Sequence, residues 1–302
     1  MAKSRPSSAA VTVLSGARLP PRLWDLSHPP RRLYLRGELP RGPAVAVVGT
    51  RRCSSQGAEL TRDLARGLAS AGVAVLSGGA QGIDTAAHEG ALDAGGSTVV
   101  VAPAGFDNPY PTENAELFRR VVGQGGAYLS LKPDAVGAGR STFFARNGCL
   151  IALSHAVIVT ETRFRGGARN AAKWARLLGR PLFVVPHSPW HEPGSGAILE
   201  LRLGARPLDR ASDVLKLLRD LGLHAVPAST APTSLEGSLP LDAARPGEGD
   251  PVLAALRAGA AHADEIAERT GLSPAVVQQR ILTLALSGVL VPGPVGSVKL
   301  VT

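Results

Sequence analysis

Between residues 44 and 220 the chain alternates short runs of aliphatic, largely β-branched residues with helix-length amphipathic stretches. AVAVV, VAVLS, TVVVA, AYLSL, AVIVT and PLFVV each run into a loop and then a helical pattern. Few architectures accept such punctuation. Strands that are apolar on successive residues are buried on both faces. The fold class expected is therefore α/β, with a Rossmann-like parallel sheet covered by helices.

The remainder of the 302 residues is organised differently. Residues 222–249 (GLHAVPASTAPTSLEGSLPLDAARPGEG) are rich in Pro, Ala, Ser and Gly and carry no sustained period, which reads as a linker. Three helical patterns follow, PVLAALRAG, ADEIAERTG and SPAVVQQRILTLALSG, the last with Ser273 as N-cap and Pro274 at the first helical position. VLVPGPVGSVKLV then reads as two short strands about a Gly/Pro turn, completing a small C-terminal winged-helix pattern. The expected layout is a basic N-terminal extension over 1–43, the Rossmann-like domain over 44–220, a linker over 221–249 and the winged helix over 250–302.

Charge separates these segments. The formal net charge is +9, which favours a polyanionic partner such as nucleic acid. Residues 1–43 hold eight Lys/Arg against two Asp/Glu, and residues 44–220 hold twenty against fifteen. Residues 249–302 balance four against four, so the winged helix is neutral. Two cysteines, Cys53 and Cys149, do not make a disulfide framework, and the start MAKSRPSSAA lacks the apolar stretch of a signal peptide. No long apolar run suggests a membrane span, so a reducing, cytoplasmic location is expected.

Two strand ends carry small-residue turns that lead into helices: Val48-Gly49-Thr50-Arg51-Arg52, and Ser77-Gly78-Gly79-Ala80-Gln81-Gly82-Ile83-Asp84. Glycine lets backbone N–H groups approach an anion, and the following helix N-terminus adds unpaired donors. One such turn is most simply a tight βα connection. Two side by side, one bearing Arg51 and Arg52, favour binding through Ser77, Gly78 and Gly82 as well. Neither has the G-x-G-x-x-G or G-x-x-x-x-G-K spacing of dinucleotide or ATP sites, so no cofactor is expected.

Arg140-Ser141-Thr142-Phe143-Phe144-Ala145-Arg146-Asn147 sets two arginines beside two phenylalanines in a chain with 4% aromatic residues. Cations neutralise phosphates, and an exposed ring stacks on any base at roughly 1–3 kcal/mol per base. This combination suits single strands. The plain alternative places both rings in the core and Arg146 in an ion pair.

Residues 163–180 (RFRGGARNAAKWARLLGR) hold six basic residues and no acidic one. Arg165, Arg169, Lys173, Arg176 and Arg180 recur every three or four positions, along one face of a helix. A solvated stripe is the default for such a run. Like charges at this spacing destabilise a helix unless an anion compensates, which favours an anionic ligand.

Catalytic constellations are thin. Asp84 and His88 lie four apart, and His187 and His191-Glu192 fall in a Pro-rich loop, with no third ligand apparent near either set, so no metal is expected. Glu161, just after the strand AVIVT, is the best placed residue for a general base.

Taken together these motifs resemble the DprA/Smf family of DNA-processing proteins. The family's V-G-[ST]-R is Val48 to Arg51, and its S-G-x-A-x-G-I-D-x-x-A-H is Ser77 to His88. Its Y-P-x-x-N lies in Asn108-Pro109-Tyr110-Pro111-Thr112-Glu113-Asn114, and F-P-x-R-N-R corresponds to Phe143-Phe144-Ala145-Arg146-Asn147. The resemblance covers roughly residues 33–210 and extends through Gly179-Arg180-Pro181 to Pro186. It implies a Rossmann-like fold, binding of single-stranded DNA, self-association as a homodimer and the loading of a RecA-type recombinase, without catalysis. It also implies a basic pocket lined by Arg51, Arg140 and Phe143. The chain departs from the family at Gly148, where a second arginine is usual, and at Gln81. It departs further at Arg165-Gly166-Gly167, in place of S-G-S, and at His187, in place of the glycine of A-V-P-G.

Three functions compete on this reading. The first is a sequence-independent binder of single-stranded DNA acting in DNA uptake, natural transformation or recombination. It would use Arg51, Arg52, Ser77, Gly78, Gly82, Arg140, Phe143, Arg146, Asn147, Arg165, Arg169 and Lys173. The second is a nucleotide sensor or nucleotide-cleaving enzyme built on Glu161. The third is a duplex-DNA regulator using residues 273–287, whose single arginine, Arg280, is too little charge for several phosphate contacts.

Overall fold

The structure, a computed structural model, describes residues 10–188, 190–224, 251–259, 262–272, 277, 281, 284, 290–292 and 298–300. For Arg140, Ser141, Ala263, Asp264 and the residues beyond 290 the backbone alone is described. The chain divides into two compact units, Met1–Thr233 and Ser234–Thr302.

The first unit is built on β1 (Thr12–Ser15), β2 (Arg32–Gly37), β3 (Ala44–Val48), β4 (Ala74–Ser77), β5 (Thr98–Ala102), β6 (Ala127–Ser130), β7 (Ala156–Val159), β8 (Leu182–Val184) and β9 (Arg206–Pro207). They form one sheet in the order β1-β2-β6-β5-β4-β3-β7-β8-β9. From β6 to β9 every neighbouring pair is parallel. The six apolar runs are β3 to β8, and β3 to β7 are buried at every residue. Their side chains divide by alternation. Ala44, Ala46 and Val48 join one core with α4 (Arg140–Leu153) and α5 (Gly167–Leu177), whereas Val45 and Val47 join another with α1 (Ser55–Ser70), α2 (Ile83–Asp93) and α7 (Ala211–Asp220).

The segment 1–43, expected as an extension, supplies two strands of this sheet. β2 pairs antiparallel with β6 (Tyr34↔Ser130, Leu35↔Leu129), and β1 pairs antiparallel with β2. The cause is an alternation in RLYLRG that buries Leu33 and Leu35, while Leu23, in a short turn of 3-10 helix, is fully buried in the same core. Arg32 and Arg36 flank the buried leucines on β2.

In the second unit α8 (Pro251–Arg257) and α9 (Ala263–Thr270) pack with Val277, Leu284 and Leu290 around one small core. β10 (Leu290–Pro292) and β11 (Val298–Leu300) form an antiparallel pair. These are the first two helices and the wing expected over 250–302. Most of the third helical pattern and of the linker lies outside the described residues.

Candidate functional site

The chain runs β3, β4, β5, β6 outward on one side of β3 and returns to place β7 on the other, so the strand order reverses between β3 and β7. Open α/β sheets leave a crevice at such a point, beyond the carboxyl ends of the strands. Here it is a cleft of about 650 Å³, lined by the turn after β3, one side of α4 and the N-terminus of α5. Five arginines (Arg51, Arg52, Arg146, Arg163, Arg165) line it against one acid, Asp84.

Arg146 is the most unusual of them. It is 6% exposed, and among the described residues its guanidinium has no hydrogen-bond partner, with Nε buried and unsatisfied. Gly78 makes the burial feasible, because a Cβ there would overlap Nη1. Burial lowers the Arg146 pKa and the nearby Asp84 carboxylate opposes that, while Arg51 adds to the lowering. Asp84 itself is buried, which raises its pKa against the pull of Arg146 and of backbone N–H groups at Ala80, Gly49 and Gly78. Its carboxylate ties the two glycine turns together, accepting from Ala80 N at 3.3 Å. A buried cation without hydrogen bonds is costly, and an anion in the cleft would relieve it.

Arg51 stands at the rim between two rings. Its Cζ lies 5.6 Å from the Phe143 ring centre and 5.9 Å from that of Tyr110, and the two rings meet edge to face at 5.3 Å. These contacts hold an exposed cation in one place. Phe144, 63% exposed, presents a second ring to the cleft. Tyr110 was not among the expected site residues. Its signal was the Asn108-Pro109-Tyr110-Pro111 motif, which says nothing of where the ring is carried.

Asn147 is buried and fastens α4 to α5 through Asn170, its Nδ2 donating at 2.9 Å. Gly166 and Gly167 open α5 at the cleft, so its first N–H groups and positive dipole end face the space that Arg146 faces. Arg140 opens α4, but its side chain lies outside the described residues. A Cβ on Gly148 would lie 3.3 Å from Trp174 and 3.4 Å from Leu26, a tight fit in which the arginine usual in the resembling family would have to displace these side chains.

The remaining expected residues stand apart from the cleft lining. Ser77 is fully buried and donates to Val47 O at 2.6 Å, whereas Gly78 and Gly82 build the wall behind the cleft, Gly82 close against the Thr50 and Arg51 backbone. The basic stripe is not the free row that its spacing suggested. Arg169 and Arg176 both pair with Glu200, which is fully buried, and Arg180 pairs with Asp25. The compensating anion is internal, supplied by α6 (Ala197–Arg202). Only Lys173 and Arg165 of that row make no ion pair among the described residues, and only Arg165 lines the cleft.

Glu161 is not placed as a base. Its carboxylate is fully buried and does not line the cleft. Oε2 accepts from Ser54 N at 2.9 Å, and Oε1 accepts from Ser54 Oγ and meets His191 Nε2, each at 2.6 Å. Burial pushes its pKa up, but the bonds from Ser54 and His191 outweigh this and leave it below the ordinary value. It acts as an anchor for the start of α1, where Ser54 is the N-cap, accepting from Gly57 N at 2.9 Å.

Comparison with known proteins agrees with this architecture. Residues 10–219 match the family described as DNA recombination-mediator protein A, and residues 224–294 match the DprA winged helix domain. Over 249 residues the chain is 39% identical to the DNA processing protein DprA of Mycobacterium tuberculosis, covering 81% of this chain and 61% of that protein. The chain thus spans about three fifths of the length of that relative. Its structure is similar to that of DNA processing protein A from Streptococcus pneumoniae, with a TM-score of 0.64, 33% identity and coverage of 68% of this chain and 73% of that one. It is also similar to DNA processing protein A from Helicobacter pylori, solved for its single-stranded DNA binding mode, with a TM-score of 0.63, 31% identity and coverage of 70% and 97%. Among the described residues no helix is long and apolar enough to cross a membrane.

Proposed function

We propose, since this chain belongs to the DprA/Smf family of DNA recombination-mediator proteins, that its cleft holds single-stranded DNA without regard to sequence. The observation that carries this reading is Arg146, a buried guanidinium lacking a hydrogen-bond partner among the described residues, facing a cleft into which α5 also points its N-terminus. A backbone phosphate is the ligand these donors suit. Arg51, Arg52 and Arg165 neutralise the neighbouring phosphates, and Asn147 braces the wall.

The aromatic groups separate single strands from duplex. Phe143 and Tyr110 around Arg51, with Phe144 beside them, offer faces to unpaired bases, which a duplex keeps stacked inside. Ser77, Gly78 and Gly82 serve this binding as framework. Arg169 serves α5 itself, and Arg140 and Lys173 add positive charge to α4 and α5.

In this reading the protein is a non-enzymatic binder that protects single-stranded DNA. It acts as a homodimer and passes the strand to a RecA-type recombinase, in natural transformation or in recombination. The family relationship supports these wider roles. The buried, fully hydrogen-bonded state of Glu161 weighs against the alternative of nucleotide cleavage.

Fluorescence anisotropy with labelled oligo-dT tests the core of this reading. Binding should be tighter than to duplex of equal length, fall steeply as salt rises, and weaken in Arg51→Ala. Equal affinity for duplex, or a flat salt series, would overturn it. Recombinase loading is tested separately, by whether the protein shortens the lag of RecA filament growth on oligo-dT.

A further inference from the structure

Glu161 carries a buried negative charge, and no lysine or arginine lies in ion-pair distance of it among the described residues. It faces two imidazoles instead. One ligand-capable atom from each of Glu161, His187 and His191 lies within 4.8 Å of the other two, although the histidines are 26 and 30 residues further along the chain. The loop after β8 brings them there.

The surroundings of this trio are those of a metal site. His187 Nε2 lies 2.7 Å from the carbonyl oxygen of Thr160, so that nitrogen carries the ring proton and Nδ1 is left as a lone pair. Ser54 holds both oxygens of the Glu161 carboxylate in place, through its N–H and its hydroxyl. Ring N–H groups on backbone carbonyls and hydrogen-bonded carboxylates are the outer supports that orient metal ligands. His191 keeps 26% of its side chain exposed, which gives an ion a path from solvent.

We propose that Glu161, His187 and His191 bind a divalent transition-metal ion, zinc above all. Two imidazoles and one carboxylate are a set that zinc accepts, with water in the fourth position. The ion replaces the proton shared between His191 and Glu161. The two rings are stacked, with centres 4.8 Å apart and planes 18° from parallel, so they turn about their Cβ–Cγ bonds to aim both lone pairs at it. Such rotations are soft. Once bound, the ion fixes the segment that ends in Glu192, whose carboxylate pairs with Arg163 at 2.9 Å on the cleft lining. The site stands independently of what the cleft binds.

The experiment is calorimetric titration of Zn²⁺ into the untagged, chelator-treated full chain, with Co²⁺ absorption as a spectroscopic probe. One Zn²⁺ per chain is expected. Binding should weaken roughly 10–100-fold or more in His187→Ala and in His191→Ala, each checked by circular dichroism to be folded at the temperature of the titration. The Co²⁺ form should lack the intense near-ultraviolet band of a thiolate ligand. Absence of saturable binding, equal binding by both histidine variants, or a thiolate band from Cys53 or Cys149 would each overturn the proposal.

Discussion

The guanidinium of Arg146 occupies the space that a side chain on Gly78 would need. The turn after β4 and the helix α4 are therefore matched to each other at one atom, and the match keeps a charge inside the wall of the cleft. Gly78→Ala should push that guanidinium out of place. We expect a loss of stability on the order of 1–3 kcal/mol from overpacking, seen by urea unfolding, and a drop in oligo-dT affinity at temperatures where the variant is still folded. Unchanged affinity would remove Arg146 from the binding site.

The aromatic pair around Arg51 leads to a second prediction. Tyr110→Ala and Phe143→Ala should each weaken oligo-dT binding by roughly tenfold, given about 1–3 kcal/mol for a stacked base. Tyr110→Phe should bind like the parent, since the ring and not the hydroxyl faces Arg51. In a double-mutant cycle Arg51 and Phe143 should couple rather than add.

Glu200 separates structural arginines from binding ones. Glu200→Gln leaves Arg169 and Arg176 without their shared carboxylate, at a cost on the order of 2 kcal/mol, since both arginines keep some solvent. Arg169→Ala should likewise lower the melting temperature while leaving DNA affinity near that of the parent. Arg165→Ala should do the reverse.

His88 sets an acid limit. It is fully buried, with Nδ1 2.8 Å from Thr98 Oγ1 and Nε2 unpartnered among the described residues, and burial, aided by Arg146, lowers its pKa from 6.5 to about 3. The unfolded chain therefore binds the extra proton below pH 6.5 and the folded chain does not. Stability is greatest above that value and falls as pH drops, by about 1.4 kcal/mol per pH unit once the unfolded histidine titrates. His88→Leu should flatten this slope, measured by urea unfolding on either side of pH 6.5.

The sheet was legible because its strands are uniformly apolar, and a residue pattern reports local burial well. The two N-terminal strands were not, since in RLYLRG the arginines that flank Leu33-Tyr34-Leu35 read as composition rather than as part of an alternation. At the site, Arg51, Phe143 and Arg146 stood out by chemistry. Glu200 did not, because it meets Arg169 from 31 residues away. The same holds for Glu161 and His191, 30 residues apart, whose encounter depends on how the loop after β8 returns to β7. Helical spacing describes which charges share a face, but not what another helix will set against that face.

β2 runs against the direction of β6 and closes that side of the parallel sheet. A chain trimmed to begin at Ala44 would bare the edge of β6 and uncover the apolar residues under Leu23 and Leu33, and it should self-associate rather than behave as a smaller independent domain. The basic residues of this segment that the structure describes, from Arg18 to Arg41, are thus not on a tail that wraps whatever it meets. They are carried by the strands and turns at this side of the sheet, so the fold sets the geometry in which a polyanion would meet them.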